Sequence, residues 1–271
     1  GYTNMFAADN GSVDPKYPVN TGIGAFIAQH GGTVLGSYGY SISPSSTQAS
    51  IGTAQSFQLA HGTVGVLDTS VPFGGVDFTS DALIAKQKNV NSVVGNLDGN
   101  SNIALVTALR QAGVNLKVAV FPTGYAPDLI SSPAWPSVQG VYFQSLFRPF
   151  SLPNSGTEQM AAALMKYQNF KPGQFPVFSQ YESWLGADLM IKGLELAGPN
   201  PTRSAVISDL RGVTDYNGGG LLPYSLDYST IFGHNPPQLC LWYLQAEPSA
   251  FVPISPKPFC GTDVRGTSTS T

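Results

Sequence analysis

Five short apolar runs recur at a nearly constant step, and they constrain this chain more than any other feature. They are Val34-Leu35-Gly36-Ser37, Val64-Gly65-Val66-Leu67, Ser92-Val93-Val94-Gly95, Val118-Ala119-Val120-Phe121 and Val141-Tyr142-Phe143, and they start 23 to 30 residues apart. Each is rich in β-branched or aromatic residues and bounded by Gly, Pro or Asn, which predicts a buried strand. Helical patterns separate most of them. The spacing predicts helices over 46–60, 79–88 and 102–112. The last carries Leu105, Val106, Leu109 and Ala112 on one stripe and stops at Gly113. Strand and helix in alternation predict a mainly parallel sheet with helices on both faces. The link from 121 to 141 holds Pro122, Pro127, Pro133 and Pro136 and room for one short helix at most.

Composition narrows the function classes. Hydrophobic residues make up 42% and net charge is only −3, which excludes a disordered chain. No stretch approaches the roughly 18 apolar residues of a membrane helix. The 13 Lys and Arg are scattered and give no basic footprint for nucleic acid. Charged residues are 11%, well below the usual ~25%, so neutral polar groups carry solubility, a composition common in exported proteins. The chain opens without an initiator Met or a charged-then-apolar leader, so a signal peptide is not in this sequence.

After about residue 146 the pattern changes. Arg148 to Pro153 reads as an extended connector, followed by helices over 156–168, 179–197 and 202–211. The second of these is apolar nearly all round and is expected to be buried on most sides. No strand in 146–218 offers a surface for it. The first 30 residues supply one strand (2–8) and one helix with Ile23, Phe26 and Ile27. The expected organisation is therefore two interleaved lobes. Residues 1–32 and 146–218 share the first, 33–145 form the second, and 219–271 hold a third crossover, terminal strands and tail. That crossover is expected after the Gly218-Gly219-Gly220 turn, with strands at Leu221 to Tyr228 and Leu239 to Gln245.

This segment order resembles the type I periplasmic solute-binding proteins, in the leucine/isoleucine/valine-binding branch used by ABC importers. Ala25 to Val34 resembles the helix and strand that enter the second lobe. Val76-Asp77-Phe78-Thr79-Ser80 resembles the family's Asp-Phe-Ser/Thr helix start, and Ala104 to Gly113 its helix ending in a Gln-Ala-Gly stop. Val138-Gln139-Gly140-Val141, Tyr181 to Leu196 and Leu221 to Asp227 resemble later family segments in the family's order. The resemblance implies a two-lobed α/β fold with Rossmann-like parallel sheets and a lobe one lacking its N-terminal part. It implies an extracytoplasmic protein, periplasmic or a cell-surface lipoprotein. Such a protein captures a small polar ligand (a branched-chain amino acid, an amide or similar) between two lobes and delivers it, as a monomer, to an ABC permease. A ligand-sensing or interaction module on the same fold is the alternative.

In open parallel sheets ligands bind beyond the carboxyl ends of the strands. The loops there read Tyr38 to Ser46, Thr69 to Gly75, Asn96 to Ser101 and Pro122 to Tyr125. They offer hydroxyls, amides and rings with almost no charge, which suits a neutral or zwitterionic solute rather than phosphate. The same residues are also turn formers. Tyr40 belongs to the first of these loops. The resemblance assigns Ser45 or Ser46 as a side chain closing over the ligand, and Asp98 as a second one and as acceptor for a ligand ammonium. Asp98 equally reads as an Asp-Gly turn residue. Tyr125 is a stacking wall or a rim residue. Gln139 falls where amino-acid-binding members carry a carboxylate, and an amide cannot supply that charge-assisted bond.

Cys240 and Cys260 lie 20 residues apart across a Pro-rich loop. They read as a disulfide, with two free buried thiols as the alternative. The resemblance favours the disulfide, found near the terminus of some family members. Enzyme signals are poor: His30, His61 and His234 are isolated, and Gly-x-Ser-x-Gly, HExxH, Cys-x-x-Cys and GxGxxG patterns are lacking. Neither catalysis, a metal nor a cofactor is expected.

Overall fold

The computed structural model describes residues 6–8, 19–230 and 239–264. The chain forms two compact units. The larger comprises Val13–Ser145 with Leu239–Thr271, the smaller Gly1–Ser12 with Leu146–Gln238.

The larger unit is an α/β body around a mostly parallel sheet. Its elements are β1 (Val19–Asn20), α1 (Gly22–Gln29), β2 (Val34–Tyr40), α2 (Pro44–Leu59), β3 (Thr63–Val71), α3 (Thr79–Gln87), β4 (Ser92–Asn96), α4 (Gly99–Gln111), β5 (Val118–Phe121), α5 (Pro127–Ser131) and β6 (Tyr142–Ser145). Each of the five recurring runs is a strand. The main path of the sheet runs β3-β2-β4-β5-β6 in parallel pairs. The chain returns after the smaller unit as β7 (Cys240–Glu247), antiparallel to β6. β8 (Ala250–Pro253) and β9 (Phe259–Cys260) both pair with β7, and β10 (Asp263–Val264) pairs with β1.

One face of the sheet is closed by Phe26, Ile27, Leu35, Phe57, Val94, Val118, Val120 and Tyr243. Phe26 stacks on Tyr243 with ring centroids 3.7 Å apart. Gly24 lets α1 and α2 touch: a Cβ there would lie 2.1 Å from the Ser56 carbonyl oxygen. Its N–H donates to Ser56 Oγ at 2.9 Å. α2 docks by hydrogen bonds more than by an apolar stripe. Ser50 donates to the Tyr38 carbonyl at 2.8 Å and the Ser37 hydroxyl donates to the Ser50 carbonyl at 3.0 Å, all buried. Cys240 and Cys260 face each other across β7 and β9 and form a disulfide.

In the smaller unit α6 (Ser155–Tyr167), α7 (Phe178–Ala197) and α8 (Arg203–Arg211) pack around Phe147, Met160, Tyr181, Leu185, Leu189, Val206, Leu210 and Leu221. Asn154 and Thr157 close a capping box on α6. The Tyr181 hydroxyl donates to the Arg148 carbonyl at 3.0 Å and that of Tyr216 to the Leu185 carbonyl at 2.9 Å.

Four expectations differ from this structure. Residues 19–32 group with the larger unit, because α1 packs on α2 and Phe26 on β7, whereas 1–32 were expected with the first lobe. The expected strand 2–8 lies mostly outside the described residues, and 6–8 are not strand. Leu221 to Tyr228 is not a strand. A turn at Gly218–Gly220, positive in φ at all three glycines, breaks the chain, and only Tyr216 and Leu226 bridge; the described chain is back in the larger unit from Leu239. Finally, α7 buries one stripe, Tyr181, Leu185, Leu189 and Gly193, while Met190, Ile191 and Leu194 remain exposed. Gly193 makes that stripe sufficient by admitting Leu210 of α8 to within 2.9 Å of its Cβ position.

Candidate functional site

β2, β3, β4 and β5 point the same way, so the segments after them, 41–43, 72–78, 97–98 and 122–126, lie along one edge of the larger unit. The local sequence ties these segments to the sheet. Ser46, in the first turn of α2, accepts the Tyr40 N–H at 2.8 Å and donates to the Asn96 carbonyl at 2.5 Å. Thr47 donates to the Tyr40 carbonyl at 2.9 Å. One pair of hydroxyls thus fastens the ends of β2 and β4 to the start of α2. Thr123 does the same for the last segment, donating to the Leu97 carbonyl at 2.7 Å. The Asn102 amide also donates to that carbonyl at 3.1 Å.

Asp98 is the N-cap of α4. Its Oδ1 accepts the backbone N–H groups of Asn100 and Ser101 at 2.9 and 3.0 Å. Its Oδ2 accepts the Tyr40 hydroxyl and, at 3.2 Å, that of Ser101. The Asp98 N–H in turn donates to the Tyr40 oxygen at 3.1 Å. Burial pushes the Asp98 carboxyl up, but the bonds from Tyr40, Ser101 and Asn100 outweigh it and hold the group below the usual carboxylate range. Burial, then the bond to Asp98, raises the Tyr40 phenol.

Tyr40, Ser46 and Asp98 are therefore brought together, in a network that binds them to one another. The role of ammonium acceptor for Asp98 differs from this arrangement: four donors occupy its two oxygens, the turn-residue reading extended to a helix cap. Ser45 is exposed beside them, its hydroxyl 3.1 Å from that of Ser43. Tyr125 is half-buried at the same edge, with its ring edge-on to Phe251 at 5.1 Å, and burial raises its phenol.

Gln139 is placed elsewhere. It precedes β6, so it sits at the amino-terminal edge of the parallel strands, opposite Asp98. Its side chain donates to the Trp135 carbonyl at 3.3 Å, and Arg110 at the far end of α4 donates to its backbone carbonyl at 2.8 Å. A specificity role at the strand-end edge is excluded by strand direction. Two residues not singled out from the sequence do lie at that edge. Ile42 is 71% exposed, and Phe73 is 67% exposed with its ring 5.0 Å from that of Tyr40. Phe73 lies between Pro72 and two glycines, a turn signal that marks a presented side chain. Among the described residues no group of three or more His, Cys, Asp or Glu is placed to hold a metal.

A family model described as periplasmic binding protein matches residues 1–248. No curated protein matches the chain. Among solved structures it is similar to a putative branched-chain amino acid ABC transporter protein from Rhodospirillum rubrum. The identity is 20% and the TM-score 0.67, over 90% of this chain and 66% of that one. A branched-chain amino acid ABC transporter protein from Thermus thermophilus with bound valine gives 17% and 0.68, over 90% and 67%. A solute-binding protein from R. palustris in complex with benzoate gives 12% and 0.65, over 92% and 64%. The chain thus spans about two thirds of the length of these structures, and at such identities the likeness shows the shared fold.

Proposed function

The chain belongs to the periplasmic binding protein family, and on that premise we propose that it is an extracytoplasmic solute-binding protein that captures a small polar solute and delivers it to an ABC permease. The observation that carries this reading is the strand-end edge of the larger unit. There Ser45 and Tyr125 stand beside residues fastened to the sheet by Ser46 and Thr123, and Phe73 follows the end of β3, where the Val71 carbonyl accepts the Ser41 N–H at 3.0 Å. A site of this kind binds by directed hydrogen bonds and ring contacts on a rigid base, and pays little ordering entropy on binding. Structures of similar fold hold bound valine and benzoate, so both amino acids and aromatic acids are candidates. The protein works as a monomer outside the cytoplasm, and among the described residues no helix is long and apolar enough to cross a membrane.

Thermal unfolding of the full chain against a panel of amino acids, amides, aromatic acids and polyols tests this. A ligand at about 100 times its Kd adds about 2.7 kcal/mol of stability, which raises the melting temperature by several degrees. Such a rise with at least one solute class is expected. An unchanged melting temperature across the whole panel contradicts the reading.

A further inference from the structure

We infer that the strand-end edge of the larger unit receives the aromatic ring of its ligand, and that the site takes small uncharged or carboxylated aromatic solutes in preference to α-amino acids. This rests on the solute-binding reading and narrows its ligand class.

Three observations carry it. First, Phe73 is presented. The Gly75 N–H donates to the Pro72 carbonyl at 2.9 Å and Gly74 has φ of 71°, so Phe73 occupies the second position of a tight turn that requires glycine at the third. Its ring is 67% exposed, a large apolar side chain held out to solvent by fixed backbone. Second, it is backed. Tyr40, only 4% exposed, lies behind it at 5.0 Å and 53°, and the Tyr40 hydroxyl is fixed by Asp98 and Ser101. A ring laid on Phe73 therefore extends an existing aromatic pair, and rings prefer the offset or edge-on geometries such a platform offers. Ile42, 71% exposed in the segment after β2, adds apolar surface at the same edge. Third, Asp98, the carboxylate expected to draw an ammonium, is occupied. Both oxygens of Asp98 already accept two donors each, so an α-ammonium arriving there would have to displace the cap of α4. Ser43 caps α2, and the exposed Ser45 hydroxyl, 3.1 Å from that of Ser43, stands at the start of the helix to meet a neutral polar group.

Isothermal titration calorimetry of the full chain with benzamide, benzoate and L-leucine tests the inference. Benzamide or benzoate is expected to bind at least about ten-fold more tightly than L-leucine, and Phe73→Ala to weaken that binding by about ten-fold while leaving the ligand-free melting temperature unchanged. Phe73→Tyr keeps the ring and the affinity. Phe73→Leu keeps apolar bulk and loses affinity, which separates ring recognition from a folding defect. Tighter binding of L-leucine than of either aromatic probe overturns the inference and leaves the solute-binding reading standing. Undiminished aromatic binding by Phe73→Ala overturns it as well. If no member of the wider panel binds, the solute-binding reading fails and the inference falls with it.

Discussion

Asp98 and Gly218 show how much of this molecule is decided at single residues. The Asp98 carboxylate caps α4 and anchors Tyr40, a residue 58 positions earlier in the chain. Its pKa is lowered on folding, so it contributes stability above the ordinary carboxylate pKa, and that contribution is lost as pH falls through the lower folded value. Asp98→Ala removes the cap and is expected to cost about 1 kcal/mol near neutral pH. In urea titrations the gap to the native sequence should narrow below about pH 4, and a gap that widens in acid would contradict the assignment. Gly218 has φ of 59°, and a Cβ there would meet Leu185 at 2.1 Å. Gly218→Ala is expected to destabilise by more than about 2 kcal/mol, the sum of left-handed strain and overpacking, read as a lower denaturation midpoint. The sequence made both residues visible as turn formers. The partner that fixes each role is distant in sequence, so an Asp-Gly pair could be read as ligand acceptor or as turn residue, and three glycines as a turn leading into the crossover.

Elements were legible as helices and strands, but docking faces could be read only where contacts follow a hydrophobic period. β2 to β6 announce themselves by apolar runs, and α4 by its stripe. α2 hides its docking face in Ser50, Thr53 and Ser56, which the apolar pattern does not mark. α7 gives the opposite error: apolar residues nearly all round imply burial on most sides, yet the close approach of α8 at Gly193 buries only one stripe. α1 was assigned to the wrong body because its partners, α2 and β7, are set by Gly24 and by Phe26 stacking on Tyr243. Gly24→Ala should force α1 and α2 apart, since backbone rather than a flexible side chain occupies the space. A loss of about 1–3 kcal/mol in chemical denaturation is expected. The disulfide closes a loop of 20 residues at the β7–β9 pair. Replacing Cys240 and Cys260 together by Ser is expected to cost about 3 kcal/mol. An unchanged midpoint under reducing and oxidising conditions would show that the hydrogen bonds of β7 suffice without it.

At the scale of the whole molecule, strand direction decides which residues can share a site. Alternation of strands and helices was enough to predict a parallel sheet, and therefore an edge where loops converge. The same alternation puts residues that precede a strand at the other edge, and the assignment of Gln139 to the site came from the family resemblance instead. Gln139, a few residues before β6, looks adjacent to the site in sequence and lies at the opposite edge in space. Ser46, Tyr40 and Asp98 come together because β2 and β4 are neighbours, which the order along the chain does not reveal. Phe73 joins them from β3, on the other side of β2. The account stands on the claim that this edge of the larger unit holds a small solute. Hydrogen–deuterium exchange of the full chain, with and without saturating benzamide, tests that claim most directly. Slower exchange is predicted in 41–46, 72–78 and 122–126, with none at 110–113 or 137–141. Protection confined to the Arg110 and Gln139 edge, or no protection in any of the strand-end segments, would contradict it.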